Sequence, residues 1–538
     1  MYCQARFCLK EGGLSHADAF PVVVVGAGLA GLSAASHLAG RGLPVLLMEA
    51  DSAYAGGRLS GGSAETFEYD GRVWSFDSQH GIHALWGNYD NMRAMLGRFL
   101  PTLGLRPCEG EAWINRWGTQ VRAVEAGTAV RGTWIPAPLH YLQLLFRPRF
   151  WTTITPLDFL SLPAFLISLL WVTGIDPLQE ELPLDGLTMD DFFRGWTPNL
   201  KATFVGLAHS LLAAPSDKIS LTAFIAAMRF YTFLRRDSWR LEFFPTNPHT
   251  SLIQPLLAHI EAAEGKILLG AHVQALRRQG EVWQVRFADL THGGVTRTLE
   301  AQHVILAVQP NAARALLLAS EETAPAAEGL CFPPTLRNAT LRLWFSRPPK
   351  AGPPAGMFTG DFLMDNFFWL HRMQDEFQEW GQVTGGSAIE VHLYASDAIL
   401  NKPDSVLLVE GVKEVQTAFP ELRGSFIHGS VRRNSATQTQ LFIPTAQTLG
   451  VLTPWEGVFA CGDWVRYPSP SLWMERATIT GMAAANAVLE RLGHAPYTIL
   501  PPRPPEALAR LIGGGVRLGR QAFAPLLAIL RRARKARA

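Results

Sequence analysis

Pro21-Val22-Val23-Val24-Val25-Gly26-Ala27-Gly28-Leu29-Ala30-Gly31 is the stretch on which the reading of the fold turns. Its valine run is apolar and β-branched, the composition of a strand buried on both faces of a parallel sheet. Small residues follow, through Ala34, Ala35, Leu38 and Ala39, and predict a helix that stops at Gly40-Arg41-Gly42. A second strand, Val45-Leu46-Leu47-Met48, then ends at Glu49. Strand, glycine turn, helix, strand is the order of a dinucleotide-binding unit. Gly26 makes the tight turn, Gly28 lets the backbone approach a pyrophosphate, and Gly31 lets helix and strand touch. The helix start adds partial positive charge. Gly26, Gly28, Ala30 and Gly31 are therefore the expected cofactor positions of the turn. The Glu49 carboxylate can accept hydrogen bonds from a ribose diol and would repel a 2′-phosphate. This unit suits NAD as well as FAD.

Two further motifs choose FAD. Gly56-Gly57-Arg58 follows the second strand closely, and an arginine there can pair with the pyrophosphate while the glycines permit close approach. Far downstream, Gly462-Asp463 follows an apolar run, and a helix rich in small residues is predicted from about Ser471 through Ala477, Gly481, Ala484 and Ala485. A carboxylate at that place suits ribityl hydroxyls, and the helix start suits the electron-rich edge of a flavin.

Composition sets the frame around these motifs. The chain has 538 residues, 48% hydrophobic and only 17% charged, so large surfaces are buried in core, ligand or lipid. A net charge of +2 offers no field for a polyanion, which argues against nucleic acid. Cys3, Cys8, Cys108, Cys331 and Cys461 are scattered without metal-ligand spacing, so neither a disulfide framework nor a metal site is expected. The start lacks the apolar stretch of a secretory signal and reads as a lead-in to the first strand. The predicted architecture is α/β: a discontinuous Rossmann-like FAD-binding domain, an inserted mixed α+β substrate domain and a helical membrane-facing region. The FAD-binding parts are placed at 20–112, 241–330 and 444–495, the helical region at 113–240, the substrate domain at 331–443, and a basic amphipathic tail at 496–538.

With these motifs the chain resembles the amine oxidase and carotenoid desaturase superfamily of flavoproteins, from Pro21 to Leu492. Two segments are similar to carotene desaturase/methyltransferases of the isorenieratene synthase type: Asp77-Ser78-Gln79-His80-Gly81-Ile82-His83-Ala84-Leu85-Trp86, continuing to Met92, and Gly462-Asp463-Trp464-Val465-Arg466-Tyr467-Pro468-Ser469-Pro470, continuing to Ala477. The resemblance implies that Glu49, Arg58, Asp463 and the Met474 backbone contact FAD, that Val273 presents its backbone to the adenine, and that the segment from Asp77 runs beside the flavin ring. Cys461 precedes the last motif at a poor place for flavin attachment, so FAD is expected to be non-covalent. Asn247-Pro248-His249-Thr250 stands where many desaturases have a glycine-rich segment, which leaves the substrate open. Histidine titrates near neutrality, so His80 or His83 could move a proton to or from a polyene or simply shape the cavity; His80, followed by glycine, is the candidate catalytic residue.

The sequence also points to lipid. Phe150 to Gly174 carries one carboxylate, Asp158, and its uninterrupted apolar part, Ala164 to Val172, is too short for a crossing that needs about 20 residues. A monotopic, peripheral face on the cytoplasmic side of a membrane is expected, supported by the tail with Arg503, Arg510, Arg517, Arg520 and the cluster from Arg531 to Arg537. The function expected is carotenoid oxidation by FAD, with methyl migration forming an aromatic end ring implied by the resemblance alone. Quinone or oxygen remains open as electron acceptor. Rival readings are a redox-neutral carotene isomerase, a hydroxysqualene-type dehydroxylase, and a non-catalytic prenyl or lipid escort.

Overall fold

Val22, Val23 and Val24 are completely buried because their strand lies inside a seven-stranded sheet with parallel neighbours on both sides. The computed structural model describes residues 19–535 apart from 181–183 and 185; the lead-in with Cys3 and Cys8 lies outside the described residues. The first strand, Ala19–Val25, pairs with Val45–Met48 on one side and with the long strand Val295–Leu306 on the other. Lys266–Leu268 extends the sheet beyond Val45–Met48, and Val458–Ala460 adds to the far edge of Leu306. The first half of Val295–Leu306 belongs to an antiparallel meander with Val282–Asp289 and Ala271–Gln279. One strand thus joins a parallel nucleotide sheet to a meander, and three separate chain segments build one domain.

The helix after the glycine turn is Leu29–Ala39, and all of its residues are buried. It is covered by the helix Trp473–Arg491, which starts two residues later than the sequence predicted. Contact between the two is backbone-close: a Cβ on Gly481 would lie 2.4 Å from the Ala30 carbonyl, and the Ser33 hydroxyl donates to the Thr478 carbonyl at 3.0 Å.

The second seven-stranded sheet runs in the order Phe426–Thr439, Thr335–Phe345, Ser387–Leu393, Asn366–Trp369, Ala355–Gly360, Glu111–Trp117 and Gln120–Glu125. Its last two strands correct the sequence reading, which put 113–240 into a helical region. Ala112, Trp113 and Ile114 form a consecutive apolar run buried beside Ala355–Gly360, and such a short run does not separate strand from helix. The helical region proper follows this hairpin.

The apolar stretch is also longer than expected. A tight turn at Pro156–Ser161 runs directly into the helix Leu162–Gly174, and together they are long and apolar enough, by length and composition only, to cross a membrane. Asp158 ties this stretch down: its carboxylate accepts from the Thr155 N–H at 2.6 Å, from the Asn199 amide at 2.7 Å and from the Thr197 hydroxyl. Leu157, Phe159, Leu160 and Ile167 remain exposed.

The start of the basic amphipathic tail is tied to the body of the protein. Arg503 pairs with Asp90 at 2.9 Å and Asp237 at 2.8 Å, and Glu506 accepts from Arg236 at 3.0 Å. A single helix, Ala507–Lys535, follows and crosses the apolar helix where a Cβ on Gly174 would lie 2.2 Å from Val516. Arg520 reaches Glu180 at 2.9 Å. Several tail cations are therefore spent within the fold.

Candidate functional site

The glycine turn is held from both sides. Gly26 has φ +102° and donates its N–H to the Met48 carbonyl at 2.7 Å. A Cβ on Gly31 would sit 1.9 Å from the Gly26 carbonyl oxygen, whereas one on Gly28 would meet nothing within 4 Å. Gly28 is thus the open position and Gly31 the contact position. Gly56, at φ +115°, donates to the Ala27 carbonyl at 2.8 Å, and a Cβ on Gly57 would be 3.4 Å from the Gly28 Cα. The Gly56-Gly57-Arg58 motif therefore lies directly on the glycine turn.

Glu49 is fixed by its own carboxylate, which accepts from the Ala27 N–H at 2.8 Å and the Asp51 N–H at 3.0 Å. Its main chain bonds Leu268 and Ala271. Val273 follows two residues on, at an irregularity in the Ala271–Gln279 strand. The ribose and adenine positions expected from the sequence are therefore neighbours.

At the other end, Arg58 and Asp463, 405 positions apart in the chain, form an ion pair of 2.5 Å. The sequence assigned them to different parts of one cofactor, and the fold brings them into contact. Asp463 also accepts from the Thr439 hydroxyl at 3.1 Å. Beside it opens a narrow cleft lined by Thr439, Asp463, Leu472, Trp473 and Arg476. Arg476 is buried, and its guanidinium donates to the carbonyls of Val465, Ser469 and Ser471, shaping the loop that precedes the helix. Trp473 has φ +50°, a strained conformation for a bulky side chain, at the helix start just before Met474.

His80 and His83 come together with their rings 6.3 Å apart. Burial holds His80 well below its usual range, and His83 is pushed down to about 4, also by burial first and Arg58 second. Both imidazoles are neutral at physiological pH. His80 Nε2, His83 Nδ1 and the Gln79 side-chain amide are buried without a hydrogen-bond partner among the described residues. Buried polar atoms are ordinarily satisfied, so a cluster of orphans is what a polar, hydrogen-bonding ring system would complete. A flavin fits this requirement. The backbone of the His80 turn is held by residues that sequence reasoning did not single out: Thr340 and Asn434 donate to the His80 carbonyl at 3.0 and 2.7 Å, and Glu390 accepts from the Ile82 N–H at 2.6 Å. Their signal was available as polar side chains at every second position of three strands. Asn247 donates to the Asp77 carboxylate at 3.0 Å, and His249 lies against Gly61, so the segment that replaces the glycine-rich one borders the same site.

The model of flavin-containing amine oxidoreductases matches residues 29–489. The chain belongs to this family. It is an FAD-dependent oxidoreductase, and its sequence is similar to enzymes named for action on carotenoids. A carotenoid phi-ring synthase from Streptomyces griseus is 29% identical over 508 residues, covering 88% of this chain and 89% of that protein. The chloroplastic/chromoplastic 15-cis-phytoene desaturase of Capsicum annuum is 21% identical over 507 residues, covering 91% and 81%. Among solved structures, cyclohexylamine oxidase from Brevibacterium oxydans superposes with a TM-score of 0.61 at 16% identity, over 88% of this chain and all of that one. This last likeness speaks for the fold. In the flavoenzyme, Cys461 is fully buried and its thiol is pushed far up by burial, the setting of a packing residue.

Proposed function

We propose that this flavoenzyme is membrane-associated and acts on a carotenoid, desaturating it and moving a methyl group so that an end ring becomes aromatic. The observation that carries the substrate class is the end-to-end similarity to a protein named as a carotenoid phi-ring synthase. The chemistry of the helical region supports it. Under the apolar helix lies a narrow, partly open pocket walled by aromatic and aliphatic side chains, among them Tyr141, Phe165, Phe192, Trp196, Phe204 and Phe224. Such a wall suits a hydrocarbon chain and offers nothing to a small cationic amine.

Desaturation removes a hydride and a proton from neighbouring carbons, and bound FAD supplies the two-electron acceptor for the hydride. What the chain contributes is a dry cavity, a fixed cofactor and a proton acceptor. His80 Nε2 is buried, neutral and without a hydrogen-bond partner among the described residues, and it is the atom we assign to that proton. His80→Ala is expected to keep its yellow colour and lose turnover by about 100-fold or more. Full turnover with FAD in place would remove His80 from the chemistry. The reaction itself is read by expressing the protein in hosts that make lycopene or β-carotene and identifying the pigments. Unchanged carotenoid in every host, with flavin bound, would refute the substrate class.

Membrane attachment, on the cytoplasmic side, is proposed through the exposed face of Pro156–Gly174 and the helix Ala507–Lys535, on which Leu511, Leu518 and Phe523 are exposed. Cations near an anionic leaflet add about 1 kcal/mol each. Because Arg503 and Glu506 brace the fold, the deletion that tests the anchor is 507–538. It should move the protein from membrane pellet to supernatant with FAD retained. Unchanged pelleting would exclude the terminal helix as an anchor.

A further inference from the structure

Three neighbouring strands of the second sheet alternate polar and apolar residues. Asn338, Thr340 and Arg342 lie on one face of Thr335–Phe345, Glu390 and His392 on that of Ser387–Leu393, and Ser430, Arg432 and Asn434 on that of Phe426–Thr439. Register aligns them: Arg342 is opposite Glu390 and Ser430, Thr340 is opposite His392 and Arg432, and Asn338 is opposite Asn434. The other face, with Leu341, Leu343, Ile389 and Val391, is ordinary apolar core. The polar face is nevertheless deep inside the protein, with Glu390 fully buried and Arg342 at 5% exposure. Burying an ion pair is costly and gives no net stability over apolar packing of the same volume. A specific task is therefore needed to account for it.

That task is visible in where the hydrogen bonds go. Glu390 accepts from the Ile82 N–H at 2.6 Å, from His392 Nε2 at 2.8 Å and from Arg342 Nε at 2.9 Å. Arg342 donates onward to the Asp77 carbonyl at 2.6 Å, and Arg432 donates to the Ser78 carbonyl. Since the Glu390 carboxylate only accepts, His392 carries its proton on Nε2, which leaves Nδ1 to accept from the Tyr394 hydroxyl at 2.8 Å. Gly81, at φ +148°, lies on this ring: a Cβ there would be 3.1 Å from His392 Nε2. The sheet thus holds backbone atoms of Asp77, Ser78, His80 and Ile82, while His80 Nε2 and His83 Nδ1 have no hydrogen-bond partner among the described residues.

We infer that Glu390, neutralised by Arg342 and seated on His392, is a positioning residue that fixes the His80–His83 turn through the Ile82 N–H and so aims the two imidazoles at the reacting carbons. The inference rests on the reading of the chain as a flavin-dependent carotenoid enzyme, and it deepens that reading. Glu390 touches neither substrate nor cofactor in this scheme.

The test uses full-length holoenzyme. The double variant Arg342→Met with Glu390→Leu removes the pair without stranding a buried charge, and Gly81→Ala lifts the turn off His392 with all charges in place. Both should keep the flavin spectrum. In the double variant, hydrogen exchange at the Gly81–His83 amides should speed up about tenfold or more. In both, kcat should fall about 100-fold with KM nearly unchanged, because a shift of about 1 Å misplaces the acceptor without emptying the cavity. A flavin-loaded double variant or Gly81→Ala protein with wild-type kcat would overturn the inference, as would unchanged amide exchange in the double variant. If wild type itself converts no carotenoid, the substrate reading fails, and the exchange measurement still decides the positioning role.

Discussion

Gly31→Ala is expected to give a colourless protein with a sharply lowered melting temperature. The added methyl would stand 1.9 Å from the Gly26 carbonyl oxygen and 3.1 Å from the Ala307 Cβ, and neither neighbour is free to move. Gly26 donates to Met48 and Ala307 donates to Val25, so both are tied to the ends of the central parallel strands. Relief must come from displacing the helix Leu29–Ala39, against which the helix Trp473–Arg491 is packed at Ala30. Overpacking of this kind costs about 1–3 kcal/mol or more, and it tilts the helix start away from the pyrophosphate. Gly28→Ala makes the contrast. Its methyl meets no protein atom within 4 Å and its φ of −72° suits alanine, so the melting temperature of the apoprotein should not change. The methyl nevertheless fills the space the pyrophosphate needs, so FAD should be lost. Flavin absorbance and thermal unfolding of the two variants check this directly. A yellow, normally melting Gly31→Ala protein would show that the glycine turn is not the cofactor cradle.

The second large effect concerns Glu475, one residue after Met474. Its carboxylate accepts from the Asn91 N–H, the Met92 N–H and the Asn91 side-chain amide at 2.9, 2.9 and 3.0 Å, holding the start of the helix Asp90–Phe99 from 384 positions away. Glu475→Ala strands these donors in the interior and should destabilise by about 3–5 kcal/mol. Burial raises the carboxyl from its ordinary 4.5 to about 7. Between those values the folded protein holds a proton that the unfolded chain has released, so the contribution of Glu475 to stability is greatest below about pH 4.5 and falls as pH rises through about 7. The total swing is about 3 kcal/mol. Glu475→Gln should flatten this slope in urea unfolding between pH 5 and 8. A slope that survives in the Gln variant would assign it to another group.

Much of the candidate flavin site was legible because its signals are local. Gly26, Gly28, Gly31 and Glu49 lie in one continuous segment, and the spacing of strand, turn and helix follows from backbone sterics and burial over short range. The motifs at Gly56-Gly57-Arg58 and Gly462-Asp463 were readable for the same reason. The hairpin Glu111–Glu125 was not, since its apolar run carries no period that separates strand from helix. Glu390 and Arg342 were missed as a pair because an alternating pattern shows that a strand has a polar face without showing what that face meets.

The residue order was thus sufficient for the class of fold, the cofactor and the place of each glycine turn, since those depend on neighbours along the chain. Three-dimensional packing was required to set Arg58 against Asp463, to fold the tail's Arg503 and Glu506 back onto the protein, and to seat the His80 turn on a buried ion pair. Those contacts join segments hundreds of positions apart, and no local propensity encodes a distance of that kind.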